Sequence, residues 1–289
     1  MASNAMAEAG FAAITRSPKR LICNVQSIKK SVGKTRFAFT APKPIGYISI
    51  EIGSEEGPAD EFIPDNRESF DGIQIVRIQM ADPAYPNILD YPATKEGRKS
   101  YDEALSEAVQ DAAQPAWDSF YSAYYASIAN MRTTVIDTGT DLYQLQRLAN
   151  FGRLEKIPQL AYGQLKREFS KLFDDAFKSS GNLIVNSHMK DRGQTTVDDR
   201  GREKWTASGI YEMDGCQVVT DKVQAVIEMW RDDLQEIDIE TGLFVKFHAQ
   251  IVDSRHTPSC MGRKFSTLDI SFPDVAMAIF KGSTISDWE

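Results

Sequence analysis

Short apolar segments alternate with longer amphipathic segments along most of the chain. The apolar segments are rich in isoleucine and valine, and their lengths are typical of buried β-strands. We predict strands at residues 20–28, 45–52, 73–80, 133–137 and 181–187. Continuous apolar runs of this kind are typical of a parallel sheet that is covered by helices on both faces.

The segments between the strands carry the helical spacing of apolar residues. Helices are predicted at residues 35–40, 99–129, 142–151 and 161–179. Because Pro115 lies inside the second of these, it forms either two helices or one broken helix. Residues 82–92 hold several prolines and are predicted to lack regular structure, and from residue 205 onward short strands and turns dominate. The alternation predicts an α/β fold with a mostly parallel sheet and a β-rich C-terminal part.

The composition narrows the classes of protein that the chain can belong to. Of its 289 residues, 42% are hydrophobic and 26% are charged, which is typical of a globular protein. The net charge of -8 argues against a surface that binds nucleic acid all over, so any such contact is expected to be local. The 3 cysteines have no metal-ligand spacing, which predicts reduced thiols in a cytoplasm. No apolar run is long enough to span a membrane, and we expect no membrane partner.

The segment Ser31–Thr35 joins the first predicted strand to the first predicted helix. It reads Ser-Val-Gly-Lys-Thr and ends in a glycine, a lysine that can neutralise β- and γ-phosphates, and a hydroxyl that can bind magnesium. The full pattern of a phosphate-binding loop also has a glycine five residues before Gly33, where this chain has Ile28. The motif alone therefore fits either a phosphate-binding loop or a solvated basic loop.

A carboxylate at the end of a later strand bears on this choice. Asp137 closes the apolar strand at residues 133–137, which is where an acid can hold the water shell of a magnesium ion. An aspartate at this position is otherwise a turn residue or a helix cap. Loop and carboxylate together favour a nucleotide site over either alternative.

At this point the chain resembles the RecA-like ATPases of phages that are related to Sak-four type recombination proteins and to phage nucleotide-binding proteins. The resemblance runs through about residues 20–190 and is carried in the family's order by residues 32–38 with Pro42-Lys43-Pro44, 47–51, 134–142 and 182–190. It implies a RecA-like core with ATP and Mg²⁺ as cofactors.

The resemblance also implies roles for single residues. Lys34 would contact the phosphates, Thr35 and Asp137 would hold Mg²⁺, and Glu51 would activate the attacking water, although an acidic turn with Glu55 and Glu56 close by is the alternative for Glu51. The residues implied to contact the nucleotide through the loop are Lys30, Ser31, Val32, Gly33, Lys34, Thr35 and Arg36.

Two positions further along the chain are assigned in the same way. His188 lies where RecA-like proteins place a residue that senses the γ-phosphate, with Asn186 as the second choice and a surface histidine as the alternative. Arg255 is expected to reach a nucleotide in its own or a neighbouring subunit. Residues 190–204 are expected to form a mobile, charged, DNA-facing loop whose charges nearly cancel.

The predicted domains are an N-terminal tail at residues 1–19, a nucleotide-binding core at 20–204 with an insertion at about 82–130, and an extension at 205–289. We expect an ATPase that acts on single-stranded DNA in phage recombination or replication. A homo-oligomeric ring or filament is expected, with a single-strand-binding protein as a further partner, in the host cytoplasm if a phage encodes the chain.

Two other functions fit the same motif. Loss of the first glycine could leave a nucleotide-binding interaction protein, or a structural one, with little hydrolysis. The run from Lys29 to Thr35 also resembles the deviant loop of ParA/MinD ATPases, with Lys29 as the signature lysine, but the segments around Asp137 and His188 fit the RecA-like order better.

Overall fold

The computed structural model describes residues 19–52, 69–152, 159–197, 203–233, 245–266 and 270–288. The strands in these ranges are β1 (Ile22–Ser27), β2 (Ile45–Glu51), β3 (Ser69–Phe70), β4 (Ile73–Gln79), β5 (Thr133–Asp137), β6 (Asn182–Asp191), β7 (Gln194–Val197), β8 (Glu203–Thr206), β9 (Tyr211–Met213), β10 (Ala225–Asp233), β11 (Val245–Ser254) and β12 (Lys264–Phe265). The helices are α1 (Lys34–Phe39), α2 (Lys95–Asn130), α3 (Gly139–Phe151), α4 (Gln159–Lys178), α5 (Val218–Lys222) and α6 (Phe272–Ile279).

One large sheet organises these elements. Its strand order is β12-β11-β10-β1-β6-β5-β2-β4-β3, and β9 pairs with the end of β6. The strands from β10 to β4 in this order are parallel to their neighbours, whereas β11, β12, β3 and β9 are antiparallel additions. The predicted fold class, an α/β core with a mostly parallel sheet, is confirmed.

Two apolar cores lie on the two faces of the sheet. One contains α1 and α6 with Phe37, Tyr47 and Phe272, and the other contains α2, α3 and α4 with Phe120 and Phe169. All residues of β1 and β5 are buried because each strand has a parallel neighbour on both sides and helices on both faces. The position of every residue at the ends of these strands is therefore closely fixed.

Helix α2 differs from both predicted forms of its segment. It is continuous from Lys95 to Asn130 with Pro115 inside it. Proline removes one intrahelical hydrogen bond, but Ala113, Ala116 and Trp117 beside it are buried against the sheet, so packing maintains the helix.

The prediction of a mobile loop at residues 190–204 is wrong for its described part. β6 continues to Asp191, and β7 pairs with β8 in an antiparallel hairpin. The Asp191 carboxylate accepts hydrogen bonds from the backbone N–H groups of Gly193, Ser208 and Gly209, which closes the base of this hairpin and lowers the pKa of Asp191 to about 2. The charged residues around it hid the β-branched run in β7.

The C-terminal third also contains more helix than predicted. β10 and β11 extend the sheet beyond β1, and α6 packs its apolar face on the same core as α1. In the described part of the chain, none of the helices combines the length and the apolar character that a membrane crossing requires.

Candidate functional site

The loop between β1 and α1 lies at the carboxyl edge of the parallel strands. Gly33 caps α1 with φ 90°, a left-handed conformation that favours glycine, and the ring of Phe247 would be 3.5 Å from an added Cβ. Ser31 also has a positive φ of 55°. We call residues 28–35 the phosphate loop. Its turn is built by backbone conformations that bring the chain directly from β1 into α1.

The side chain of Lys34 is folded back into this loop. Its Nζ donates a hydrogen bond of 2.6 Å to Ser27 Oγ, and Ser27 Oγ donates to the carbonyl of Lys29 over 2.8 Å. Lys34 is only 8% exposed. Burial lowers the pKa of its ammonium group, and the nearby carboxylate of Asp137 opposes that shift. A desolvated cation held at the mouth of a loop is well placed to pair with an anion.

Asp137 is the centre of the polar contacts in the site. Its Oδ2 accepts hydrogen bonds from Thr35 Oγ1 at 3.1 Å, Tyr47 Oη at 2.6 Å and Asn186 Nδ2 at 3.0 Å. These donors come from α1, β2 and β6, so the sheet brings together residues that are far apart in sequence. The arrangement places the Thr35 hydroxyl and the Asp137 carboxylate side by side.

These groups fit a hard divalent cation such as Mg²⁺. A hydroxyl and a carboxylate oxygen are the ligands that Mg²⁺ takes from a protein when phosphates and waters supply the rest. The described residues contain no group of three or more His, Cys, Asp or Glu side chains that could hold a metal without such help. In addition, the buried Oδ1 of Asn186 has no hydrogen-bond partner, so the site has an acceptor ready for a water or another donor.

A buried polar row lies on the opposite face of the sheet from the Asp137 side chain. Ser187 Oγ donates to Asn24 Oδ1 over 2.7 Å, and Asn24 Nδ2 donates to Gln26 Oε1 over 3.1 Å. Parallel strands end at one edge of a sheet, which is where α/β proteins place their ligands. The row therefore connects β1, the strand that leads into the phosphate loop, with β6.

His188 follows this row on β6 and is half-buried. Burial lowers the pKa of its imidazole, and the charge of Lys34 lowers it further. Its backbone N–H donates to Thr140 Oγ1 over 3.0 Å, and Thr140 Oγ1 donates to the carbonyl of Asp214 over 2.8 Å. The N–H of Asp214 in turn donates to the carbonyl of His188 over 2.7 Å. His188 is thus a half-buried side chain on a firmly bonded backbone.

The remaining residues of the predicted site differ in how exposed they are. Val32 is 1% exposed in the apolar core, so only its backbone can face a ligand, whereas Lys30, Ser31 and Arg36 are exposed around the loop. Glu51 ends β2 two residues beyond Ser49, the register partner of Asp137. The side chain of Glu51 lies outside the described part of the structure.

The structure contradicts the prediction that Arg255 reaches the nucleotide of its own subunit. Its N–H donates to the carbonyl of Gln224, whose own N–H donates to the carbonyl of Ile22. Arg255 is therefore level with the start of β1, and at roughly 3.3 Å per residue the phosphate loop is about 20 Å away. A contact with a neighbouring subunit stays a prediction.

A different arginine does reach the loop. Arg231 lies near the carboxyl end of β10, and its Nη1 donates a hydrogen bond of 3.1 Å to the carbonyl of Ser31. The sequence carried no signal for this contact, because it depends on β10 pairing in parallel with β1. Tyr47 and Thr140 were missed for the same reason, since their contacts are made across strands.

Comparison with known proteins identifies a family for most of the chain. The model of the AAA_24 family, described as an AAA domain, matches residues 29–241. Among solved structures, the KaiC-like protein PH0186 from the hyperthermophilic archaeon Pyrococcus horikoshii OT3 is 13% identical, with a TM-score of 0.40 over 85% of this chain and 84% of that chain. No curated protein matches the sequence.

Proposed function

The chain belongs to the AAA domain family and has a P-loop ATPase domain, and from this premise we propose that it binds ATP with Mg²⁺ and hydrolyses it. The observation that carries the proposal is the convergence of Lys34, Thr35 and Asp137 at the carboxyl edge of the sheet. Phosphoryl transfer depends mainly on positioning and charge neutralisation, and these residues can supply both.

Each residue has a role that its present contacts support. Lys34 exchanges its hydrogen bond with Ser27 for the β- and γ-phosphates, where a desolvated ammonium group is most effective. Thr35 and Asp137 would hold a magnesium ion, which would neutralise phosphate charge. Glu51, at the end of the adjacent strand, is the proposed base for the attacking water, and His188 the proposed γ-phosphate sensor.

The test is ATP hydrolysis by the parent and by Lys34→Ala, with Lys99→Ala as the matched control. Lys99 is an exposed lysine on α2 that is paired only loosely with Glu103, at 3.6 Å. We expect Lys34→Ala to abolish hydrolysis and Lys99→Ala to retain it. Equal rates in the parent and in Lys34→Ala would remove the basis of the proposal.

We further propose that this ATPase acts on single-stranded DNA in recombination or replication, in line with the resemblance to phage RecA-like recombination proteins. The hairpin of β7 and β8 extends from the strand that carries Asn186 and His188, and Lys190, Arg192 and Lys204 lie on or beside it. Stimulation of hydrolysis by single-stranded DNA, declining as salt rises, is the expected result. Hydrolysis without any DNA response would leave the ATPase proposal intact and refute this part.

A nucleotide-binding protein without hydrolysis is the second candidate, because Ile28 replaces a glycine of the loop pattern. The side chain of Ile28 is 47% exposed and points into solvent, so it does not fill the turn. This favours an intact phosphate loop. Tight ATP binding without turnover, with or without DNA, would support the second candidate instead.

A further inference from the structure

We propose that Tyr47 is a positioning residue that fixes the orientation of the Asp137 carboxylate toward the metal, an inference that rests on the proposed function. Tyr47 lies on β2, two residues before the register partner of Asp137, and is fully buried. Its ring packs edge-on against Phe39 of α1 with centroids 5.2 Å apart. From there its hydroxyl donates to Asp137 Oδ2 over 2.6 Å.

The hydrogen bond from Tyr47 matters because it is made to one carboxylate oxygen of Asp137, Oδ2. Tyr47 and Asn186 both donate to Oδ2, at 2.6 and 3.0 Å, and neither donates to Oδ1. Both donors are 0% exposed, so water does not compete for the bonds. A carboxylate with one oxygen held by two buried donors cannot rotate freely about its Cβ–Cγ bond. Oδ1 is therefore presented in one direction before any cation arrives.

The Thr35 hydroxyl also donates a hydrogen bond to Oδ2, at 3.1 Å. To offer an oxygen lone pair to a cation, this hydroxyl must break that hydrogen bond and rotate. Once Thr35 turns away, Tyr47 and Asn186 are what remains to hold the carboxylate. Tyr47 thus acts through Asp137 and touches neither nucleotide nor metal.

The test measures the gain in nucleotide affinity that Mg²⁺ provides. A fluorescent ADP analogue is titrated with the full chain in EDTA and then in increasing Mg²⁺. For Tyr47→Phe, which keeps the ring and removes the hydroxyl, we expect unchanged affinity in EDTA and a Mg²⁺-dependent gain that is about five- to tenfold smaller, the value of one charge-assisted hydrogen bond. Tyr124→Phe is the matched control, because Tyr124 is also fully buried but donates to the carbonyl of Leu172 in the other core.

Each outcome separates this inference from the proposed function. A parent that binds no nucleotide, or gains nothing from Mg²⁺, overturns both. A parent with a clear gain that Tyr47→Phe fully retains overturns the role of Tyr47 alone. An equal loss of affinity in EDTA and in Mg²⁺, or an equal loss in Tyr124→Phe, would mean that the hydroxyl only supports packing.

Two further variants keep the test decisive. In the Asp137→Asn background, Tyr47→Phe is expected to have no additional effect on the gain from Mg²⁺, because the carboxylate through which it acts is gone. If Tyr47→Phe does not fold, Asn186→Ala removes the other buried donor to Oδ2 and is expected to reduce the gain in the same way. An undiminished gain in that variant overturns the inference.

Discussion

Gly139 provides the most quantitative test of how the carboxyl edge of the sheet is packed. It begins α3 two residues after Asp137, and an added Cβ would be 2.5 Å from Val185 Cγ1 and 3.2 Å from Ser187 Oγ. Ordinary carbon contacts are about 3.5–4.0 Å, so Gly139→Ala requires α3 and β6 to separate by roughly 1 Å. Such overpacking costs about 1–3 kcal/mol, which lowers the melting temperature by about 2–4 °C for each kcal/mol.

The partner substitution tests whether the cost comes from this clash. Val185 is 1% exposed, and Val185→Ala alone should destabilise by about 1–3 kcal/mol through the cavity that it leaves. In the double variant the new methyl group occupies that cavity. The double variant should therefore be more stable than the sum of the single effects by at least about 1 kcal/mol.

Urea denaturation of the four proteins measures this coupling directly. Gly163→Ala in α4 is the control, because among the described residues only the end of the Arg167 side chain lies near the added Cβ, at 3.7 Å. That helix substitution should stabilise by about 0.5–1 kcal/mol. Additive effects of the Gly139 and Val185 changes, or a Gly139→Ala variant as stable as the parent, would refute the reasoning.

Three other predictions follow from charged groups. Lys34→Met should leave the nucleotide-free protein at least as stable as the parent at pH 7, because burial lowers the pKa of Lys34. The difference in unfolding free energy between the two proteins should narrow as pH rises toward the ordinary lysine pKa of 10.5. A difference that widens with pH in urea denaturation would contradict this. Arg231→Ala should weaken nucleotide binding about fivefold, because it removes the partly exposed hydrogen bond to the Ser31 carbonyl, whereas Arg255→Ala should leave the affinity unchanged. Equal nucleotide affinities of the two variants would refute the role of Arg231. Asp191→Asn should speed amide hydrogen exchange at the base of the β7–β8 hairpin. In the parent, the hydrogen bonds accepted by the Asp191 carboxylate should be lost as pH falls from the ordinary aspartate pKa of 3.8 through about 2. Amide exchange that the substitution leaves unchanged would show that this carboxylate does not hold the base of the hairpin.

Elements with a strong local pattern could be predicted from the sequence. The apolar runs that became β1, β2, β5 and most of β6 are buried on both faces, and the run that became β4 is buried on one face, so their composition alone identified them. The Gly33-Lys34-Thr35 motif was equally visible, because its backbone turn and its chemistry are both local.

Contacts made across strands could not be predicted in the same way. Tyr47 and Asn186 meet at Asp137 because β2, β5 and β6 are neighbours, and Arg231 reaches Ser31 because β10 lies beside β1. The predicted contact of Arg255 with the nucleotide of its own subunit is wrong because the position of a residue along the chain does not tell at which end of the parallel strands it lies. Pro115 predicts a break in the helix on local grounds, whereas packing of its neighbours against the sheet keeps α2 continuous.

The length of β6 has a consequence for how this molecule can change over generations. Asn186 donates to Asp137, Ser187 belongs to the buried polar row, and Asp191 at the end of the same strand closes the base of the hairpin. No turn separates the two regions, so they move as one body. The hairpin is nevertheless outside the core, where insertions and new charges are tolerated. Mutation can therefore alter what the hairpin contacts while the residues around Asp137 stay as they are.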